Sequence, residues 1–285
     1  MSGAIEVIKP GALTTVQDLG RPGFAHLGIP RSGAADRASL KLANRIVGNA
    51  EGAAALECTL IGPSLLFQSD ALVAITGAEV ALRLGGEELA LNSAFNVAAG
   101  DLLEVATTST GLRTYVAVRG GISAEVTMGS MSSDLLSGLG PQPLKAGQIL
   151  VSGEPKSEVP AIGVAAVAAP AEEPLLHVIR GPRDDWFADG AFELLATSSW
   201  EVSSDSNRSG ARLLGPELPR VRHDQLLSEG MAHGSIQVPA SGQPIILLAD
   251  HPTTGGYPVI AVVASGDLDA AGQLRPGQKL RFAVS

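Results

Sequence analysis

Cysteine is almost missing from this 285-residue chain: Cys58 stands alone. No intramolecular disulfide can form, which is the usage of a reducing compartment. Cys58 lies in Leu56-Glu57-Cys58-Thr59-Leu60 with no base beside it to activate a thiol, and it reads as a small buried residue. Aromatic residues are scarce at 4%, which removes the stacking platforms that single-stranded nucleic acid needs. Positive charge is also in deficit, 20 Lys and Arg against 29 Asp and Glu, and a net charge of -9 repels a phosphate backbone. No nucleic-acid partner is expected. Long apolar runs are absent too, since Ile162 to Pro170 falls short of the ~20 residues a membrane helix requires. The start, Met1-Ser2-Gly3-Ala4-Ile5-Glu6, lacks the basic and apolar regions of a secretory signal. A cytoplasmic protein that does not engage a membrane is expected.

Three chemical signatures are missing as well. The histidines (His26, His177, His223, His233, His251) fall in no metal-binding spacing, so no metal is expected. There is no G-x-x-x-x-G-K-[ST], so no ATP or other cofactor site is expected on this chain. There is no G-x-S-x-G elbow to seat a serine nucleophile.

What is abundant is Gly (34) and Pro (18), and 45% hydrophobic residues, with only 17% charged. That composition gives a packed core rather than a disordered chain. Short β-branched runs lie between the turn residues: Ala71 to Ile75, Thr114 to Val118, Pro244 to Leu248 and Val259 to Val263. Many short strands with Gly/Pro turns predict a mainly β sandwich or barrel. Helical pattern is limited. Asp36 can cap a helix that carries Leu40, Ala43 and Ile46 or Val47 on one face and stops at Gly48. A second helical stretch is expected after Asp184 or Asp185, through Trp186-Phe187 and Phe192 to Leu195, and a short third turn at Asp224 to Leu227.

Three segments share one shape: Ala98 to Leu103, Leu144 to Leu150 and Leu274 to Leu280 each place a Gly turn before an apolar strand. Unrelated turns and true duplication explain this equally well. Residues 156–172 are rich in Pro, Ser, Glu and Ala and read as a linker, although Ile162 to Val167 could form a strand. Two domains are therefore expected, 1–155 and 173–285.

Three motifs could carry chemistry. Thr14 to Gly23 presents Asp18 and Arg21 on a glycine-flanked turn, where the two charges could simply pair with each other. Asp205 to Leu213 presents Asn207 and Arg208, an amide and a planar fork suited to a carboxylate or ureido group, or else a polar turn. Gly234 to Tyr257 ends a strand at Asp250 and follows it with Thr253-Thr254-Gly255-Gly256-Tyr257, a plausible pocket rim. Asp250 would need a raised pKa to serve as a general base.

These motifs resemble a known family. The resemblance runs through Thr-Thr-Val-Gln-Asp-Leu-Gly-Arg at 14–21, Gly33 to Asn49, Leu56 to Thr59, Ile75 to Ala78, Tyr115 to Gly121 and Gly129-Ser130. It continues through Ser206-Asn207-Arg208-x-Gly210, Gly234 to Pro239, Thr253 to Pro258 and Gln273 to Gly277. The family is variously called allophanate hydrolase subunit 2, biotin-dependent carboxyltransferase family protein, KipA-like, or the C subunit of 5-oxoprolinase. The resemblance implies two tandem cyclophilin-like β-barrel domains with a few short helices. It implies one component of an ATP-dependent 5-oxoprolinase, inactive alone, with a KipI-like protein and a LamB/YcsF-like protein as partner subunits. ATP would be used by the complex.

In a related urea carboxylase module the Ser-Asn-Arg-x-Gly segment lies near the substrate. By that resemblance Asn207, Arg208, Thr254, Asp18 and Arg21 are the expected substrate contacts, and Asp250 and Tyr257 the expected catalytic residues. The resemblance leaves two alternatives: a KipA-like regulator that binds a KipI-type kinase inhibitor, or a carboxyltransferase or allophanate hydrolase component of urea-type metabolism. No Met-Lys-Met biotinylation motif is present. Many members carry Gly-Gly-x-x-Gly-Arg before the Leu-Lys-x-Gly turn, whereas this chain has Leu139-Gly140-Pro141-Gln142-Pro143.

Overall fold

The computed structural model describes residues 3–161 and 163–285. The chain divides into two compact units, and the division is not sequential. Unit 1 is Met1–Arg21, Ser32–Asp134 and Gly138–Pro170, while unit 2 is Pro22–Arg31, Leu135–Ser137 and Ala171–Ser285. Strand makes up 38% and helix 11%, arranged as two barrel-like sheets, so the fold is mainly β as the turn-bounded runs predicted. No helix among the described residues is long and apolar enough to cross a membrane.

Unit 1 is built on ten antiparallel strands. They are β1 Ala4–Lys9, β2 Leu13–Gln17, β3 Ala55–Thr59, β4 Ser64–Phe67 and β5 Ala71–Leu84, followed by β6 Glu87–Leu89, β7 Ala94–Val97, β8 Leu102–Val118, β9 Ile122–Ser123 and β10 Ile149–Ser152. Their order is β2-β3-β8-β4-β1-β10-β9, and β5 joins β6 and β7 to β8. The long β8 lies against β4 at Leu102 to Glu104 and against β3 at Arg113 to Val116, with β5 along its other edge. The β5–β8 ladder shifts register near Gly77. A Cβ at Gly77 (φ +103) would sit 2.4 Å from the Arg113 carbonyl oxygen, so only glycine fits that bend.

Both faces of the β3–β8–β5 region are covered. Leu56, Cys58, Ile75, Val116 and Val118 face one core cluster. Ala55, Ala74, Tyr115 and Ala117 face another that contains Leu40, Ala43 and Ile46 of helix α1 (Arg37–Ile46). Two-sided burial explains why Thr114 to Val118 reads as a continuous run instead of an alternating one. The predicted helix is present: Asp36 caps it by accepting from Ser39 N at 2.9 Å, and Gly48 beyond it has φ +74. Cys58 is 1% exposed, and burial pushes its thiol pKa up to about 12, which keeps it protonated and inert.

Unit 2 contains β11 Leu175–Arg180, β12 Ser199–Val202, β13 Gly210–Leu214, β14 Glu229–Gly230 and β15 Ser235–Gln237, then β16 Ile245–Leu247, β17 Thr254–Gly255, β18 Val259–Val263 and β19 Lys279–Val284. Seven close a barrel in the order β11-β18-β15-β16-β13-β12-β19, while β14 and β17 pair as a separate ribbon. Trp200, Leu176, Val178, Ile236, Ile246, Ile260 and Leu280 fill the barrel. Each such side chain contributes about 1.5–3 kcal/mol by leaving water.

The second helical stretch is split. A 3-10 turn at Asp184–Trp186 ends, Gly190 adopts φ +82, and α2 runs over Ala191–Thr197. The third expectation is overturned: no helical turn forms at Asp224 to Leu227. Leu227 is 84% exposed, so little apolar burial is there to offset the cost of nucleating a turn. A helix unforeseen in the sequence, α3 Leu268–Ala271, instead buries Ala271.

The three look-alike segments fold alike. Asp101, Gln148 and Gln278 each donate their N–H to the carbonyl three residues back, with Gly100, Gly147 and Gly277 at φ +94, +78 and +80. Each also closes the turn with its own side chain on the first residue's N–H. Of the possible strand from Ile162 to Val167, Ile162 lies outside the described residues. Val164 makes only an isolated bridge to Ser93, and Gly163 and Ala165 bond to Ala94 and Asn92.

Candidate functional site

In unit 1, Gln17 ends β2 and the chain turns at Asp18. The Asp18 carboxylate accepts from Gly20 N (2.7 Å), Met131 N (2.7 Å), the Ser130 hydroxyl (2.6 Å) and the Ser132 hydroxyl (2.5 Å). It thereby ties the β2 end to the Ser130–Ser132 turn, 112 or more residues away in sequence. Arg21 is 1% exposed and donates through Nε to the Thr127 carbonyl at 3.4 Å and through Nη2 to the Ser132 carbonyl. Asp18 and Arg21 therefore do not pair with each other, because each is claimed by the same opposing turn.

Gly140, in the segment where the sequence departs from the family pattern, backs this corner. A Cβ there would lie 2.1 Å from the Ser132 carbonyl oxygen and 3.2 Å from Arg21 Nη2.

In unit 2, Arg208 and Asp250 meet. Arg208 Nε donates to Asp250 Oδ2 at 2.8 Å and Nη2 to Oδ1 at 3.0 Å, a bidentate pair with side chains 2% and 0% exposed. Asp250 N also donates to the Arg208 carbonyl at 3.0 Å, and Leu135 N lies 3.3 Å from Oδ2. The fork geometry fixes both partners. A carboxylate held this way is an orienting group for the guanidinium, beyond the isolated base that the strand-end position suggested.

Asn207 is exposed, and its Oδ1 is used locally, accepting from Ser209 N at 2.8 Å and Gly210 N at 3.3 Å. This is the polar turn that Asn and Gly favour. Thr254 sits on the β14–β17 ribbon opposite Gly230 and is exposed. Tyr257 is 49% exposed, and its carbonyl accepts from Gln237 Nε2 at 3.3 Å. Next to Asp250, the His251 ring stacks on His233 with centroids 6.1 Å apart and holds the Pro252 carbonyl at 2.8 Å. Burial lowers the His251 pKa below its ordinary value.

Sequence reasoning missed a buried polar network in unit 1. Glu57 Oε2 accepts from the Tyr115 hydroxyl (2.8 Å) and Ala35 N (2.9 Å), and the same hydroxyl accepts from Asp36 N at 2.8 Å. Arg113 Nε lies 3.5 Å from Glu57 Oε1, both side chains being 2% exposed or less. Burial, then Glu57 and Asp36, hold the Tyr115 pKa well above its ordinary value, so the phenol stays a donor. Period-2 spacing on β8 places Arg113 and Tyr115 on one face, but their opposition to β3 is a matter of register that no local pattern reveals.

Known proteins match along nearly the whole chain. Residues 27–284 match the family described as carboxyltransferase domain, subdomain A and B. The C subunit of 5-oxoprolinase from Escherichia coli (strain K12) is 38% identical over 98% of this chain and 90% of its own length. The urea amidolyase of Lachancea kluyveri is 36% identical over 98% of this chain, which spans only 17% of that protein. The crystal structure of TTHA0988 superposes with a TM-score of 0.90 at 37% identity, covering 99% of this chain and 56% of that one. With the fold, the ordered motifs and these matches in agreement, the chain belongs to the carboxyltransferase-domain family of subdomains A and B.

Proposed function

We propose that this chain is one component of an ATP-dependent 5-oxoprolinase that converts 5-oxoproline to L-glutamate together with a KipI-like partner and a LamB/YcsF-like partner. The observation that carries this reading is the match over 90% of the length of a separate 5-oxoprolinase subunit, against 17% of a urea amidolyase. ATP is assigned to the partners, since this sequence carries no phosphate loop.

In this reading water adds across the lactam C–N bond: the carbonyl carbon gains the hydroxyl and the ring nitrogen the proton. Arg208, whose Nε and Nη2 are held by Asp250, is a proposed substrate residue together with Asn207, Thr254, Asp18 and Arg21. Asp250 and Tyr257 are the proposed catalytic pair. The exposed phenol of Tyr257 is the group available to carry a proton, and Asp250 acts in company with Arg208. A second reading, carboxyl transfer, is favoured by the urea amidolyase relative.

Reconstitution tests the proposal. The purified chain should show no 5-oxoproline-dependent ATP hydrolysis, and adding it to the KipI-like and LamB/YcsF-like partners should create that activity. Full activity from the two partners alone, unchanged on adding this chain, rejects the reading; dependence on bicarbonate and a biotinylated carrier selects the second.

A further inference from the structure

Three arginines among the described residues are buried to 2% exposure or less: Arg21, Arg113 and Arg208. Arg113 faces Glu57 and Arg208 faces Asp250. Arg21 has no carboxylate partner among the described residues, because the Asp18 oxygens are taken up by Gly20, Ser130, Met131 and Ser132. Its contacts are two carbonyl oxygens, and its Nη1 has no hydrogen-bond partner among the described residues. Burying a cation without a counter-charge is strongly unfavourable, so such a group is expected to be completed by an anion.

Two further unpaired atoms belong to residues packed at the same corner. Gln17 Nε2 donates to the Thr15 hydroxyl and to the Ser133 carbonyl, both at 3.0 Å. A carbonyl can only accept, so the amide orientation is fixed and Oε1 is left buried without a donor. The Ser133 hydroxyl is likewise buried and unpaired. Its backbone is held on both sides, N–H by the Val16 carbonyl at 2.9 Å and carbonyl by the Ser32 hydroxyl at 2.9 Å.

We propose that Arg21, Ser133 and Gln17 form a subsite in unit 1 for a small carboxylate that carries an N–H or O–H donor beside its charge. Arg21 Nη1 and the Ser133 hydroxyl donate to the carboxylate, which is planar and suits a guanidinium edge. Gln17 Oε1 accepts the ligand's own donor. Two sources fit that chemistry: 5-oxoproline, whose lactam N–H is attached to the carbon bearing its carboxylate, and bicarbonate, whose O–H shares the carbon. The choice of 5-oxoproline rests on the function proposed above, whereas the subsite itself does not.

Calorimetric titration of the full chain at fixed ionic strength separates the two sources. Sodium formate, bicarbonate and 5-oxoproline are the probes, with neutral 2-pyrrolidinone as the uncharged control. Formate should bind saturably at one site and 2-pyrrolidinone should not bind. Ser133→Ala, which keeps the Arg21 charge, should weaken formate by about tenfold, the worth of one hydrogen bond to a charged group. Gln17→Leu should weaken 5-oxoproline or bicarbonate while leaving formate unchanged. Tight 5-oxoproline binding supports both the subsite and the 5-oxoprolinase reading. Formate and bicarbonate binding without 5-oxoproline binding keeps the subsite and overturns its assignment to 5-oxoproline, while the 5-oxoprolinase reading stands or falls on the reconstitution. A folded wild-type chain that binds none of the three anions, or formate affinity unchanged in both Ser133→Ala and Arg21→Gln, overturns the subsite.

Discussion

Arg21 and Arg208 are equally buried, one in each unit, yet their surroundings are opposite. Arg208 is met by a bidentate carboxylate, and its charge is neutralised inside the protein. Arg21 is met by carbonyl dipoles and keeps an unpaired Nη1. The first arrangement is self-sufficient, and deleting either partner strands the other. The second is incomplete, and deleting the cation removes an electrostatic cost along with its contacts. Buried charge by itself therefore says little about role, and the identity of the partner decides it.

The largest expected effect follows from the matched pair. Arg208→Met leaves a fully buried Asp250 carboxylate facing an apolar side chain and should lower unfolding free energy by about 3–5 kcal/mol. Urea denaturation checks this, and the double variant Arg208→Met/Asp250→Leu should recover a large part of the loss.

Tyr115→Phe comes next, at about 2 kcal/mol, because one hydroxyl serves both Glu57 and Asp36 N–H. A loss this size in the same denaturation assay would place the Glu57 network with the self-sufficient class.

Arg21→Met is expected to cost about 1 kcal/mol or less in anion-free buffer, since relief of the buried charge offsets the abandoned carbonyls.

The smallest effect belongs to His251. Its folded pKa lies below the ordinary 6.5, so below that pH the unfolded chain binds a proton that the folded chain resists. Stability should therefore fall as pH drops from about 6.5 towards the folded value. His251→Asn should flatten that limb in denaturation curves taken across pH 4.5 to 7.5, a range set by the ordinary histidine pKa of ~6.5, and should leave the neutral-pH plateau nearly unchanged.

Much of the framework was legible because local rules act within a few residues. Val259 to Val263 is a strand over the whole of its apolar run, and Asp36 caps α1 where a short acid before an apolar stripe predicts it. The Gly turns before β8, β10 and β19 follow from glycine's access to positive φ. The site was less legible. Asp18 and Arg21 were visible as charges on a turn, but their partners at Thr127 to Ser132 are set by packing more than 100 residues away. Arg208 and Asp250 stand in separate motifs of the sequence, and their pairing depends on β13 lying against β16. Glu57 was hidden in an apolar run because its face of β3 is buried under α1 instead of facing solvent. Asp224 to Leu227 shows the reverse failure, a local helical signal with only Leu226 partly buried against the core to sustain it.

The contrast between the two arginines is tested most directly by one paired denaturation experiment. Wild type, Arg21→Met and Arg208→Met are unfolded side by side in urea, in buffer free of carboxylate and bicarbonate. A midpoint close to wild type is expected for Arg21→Met, and a far lower one for Arg208→Met. Equal, large losses for the two variants would contradict this, because Arg21 would then have to be compensated within the chain itself.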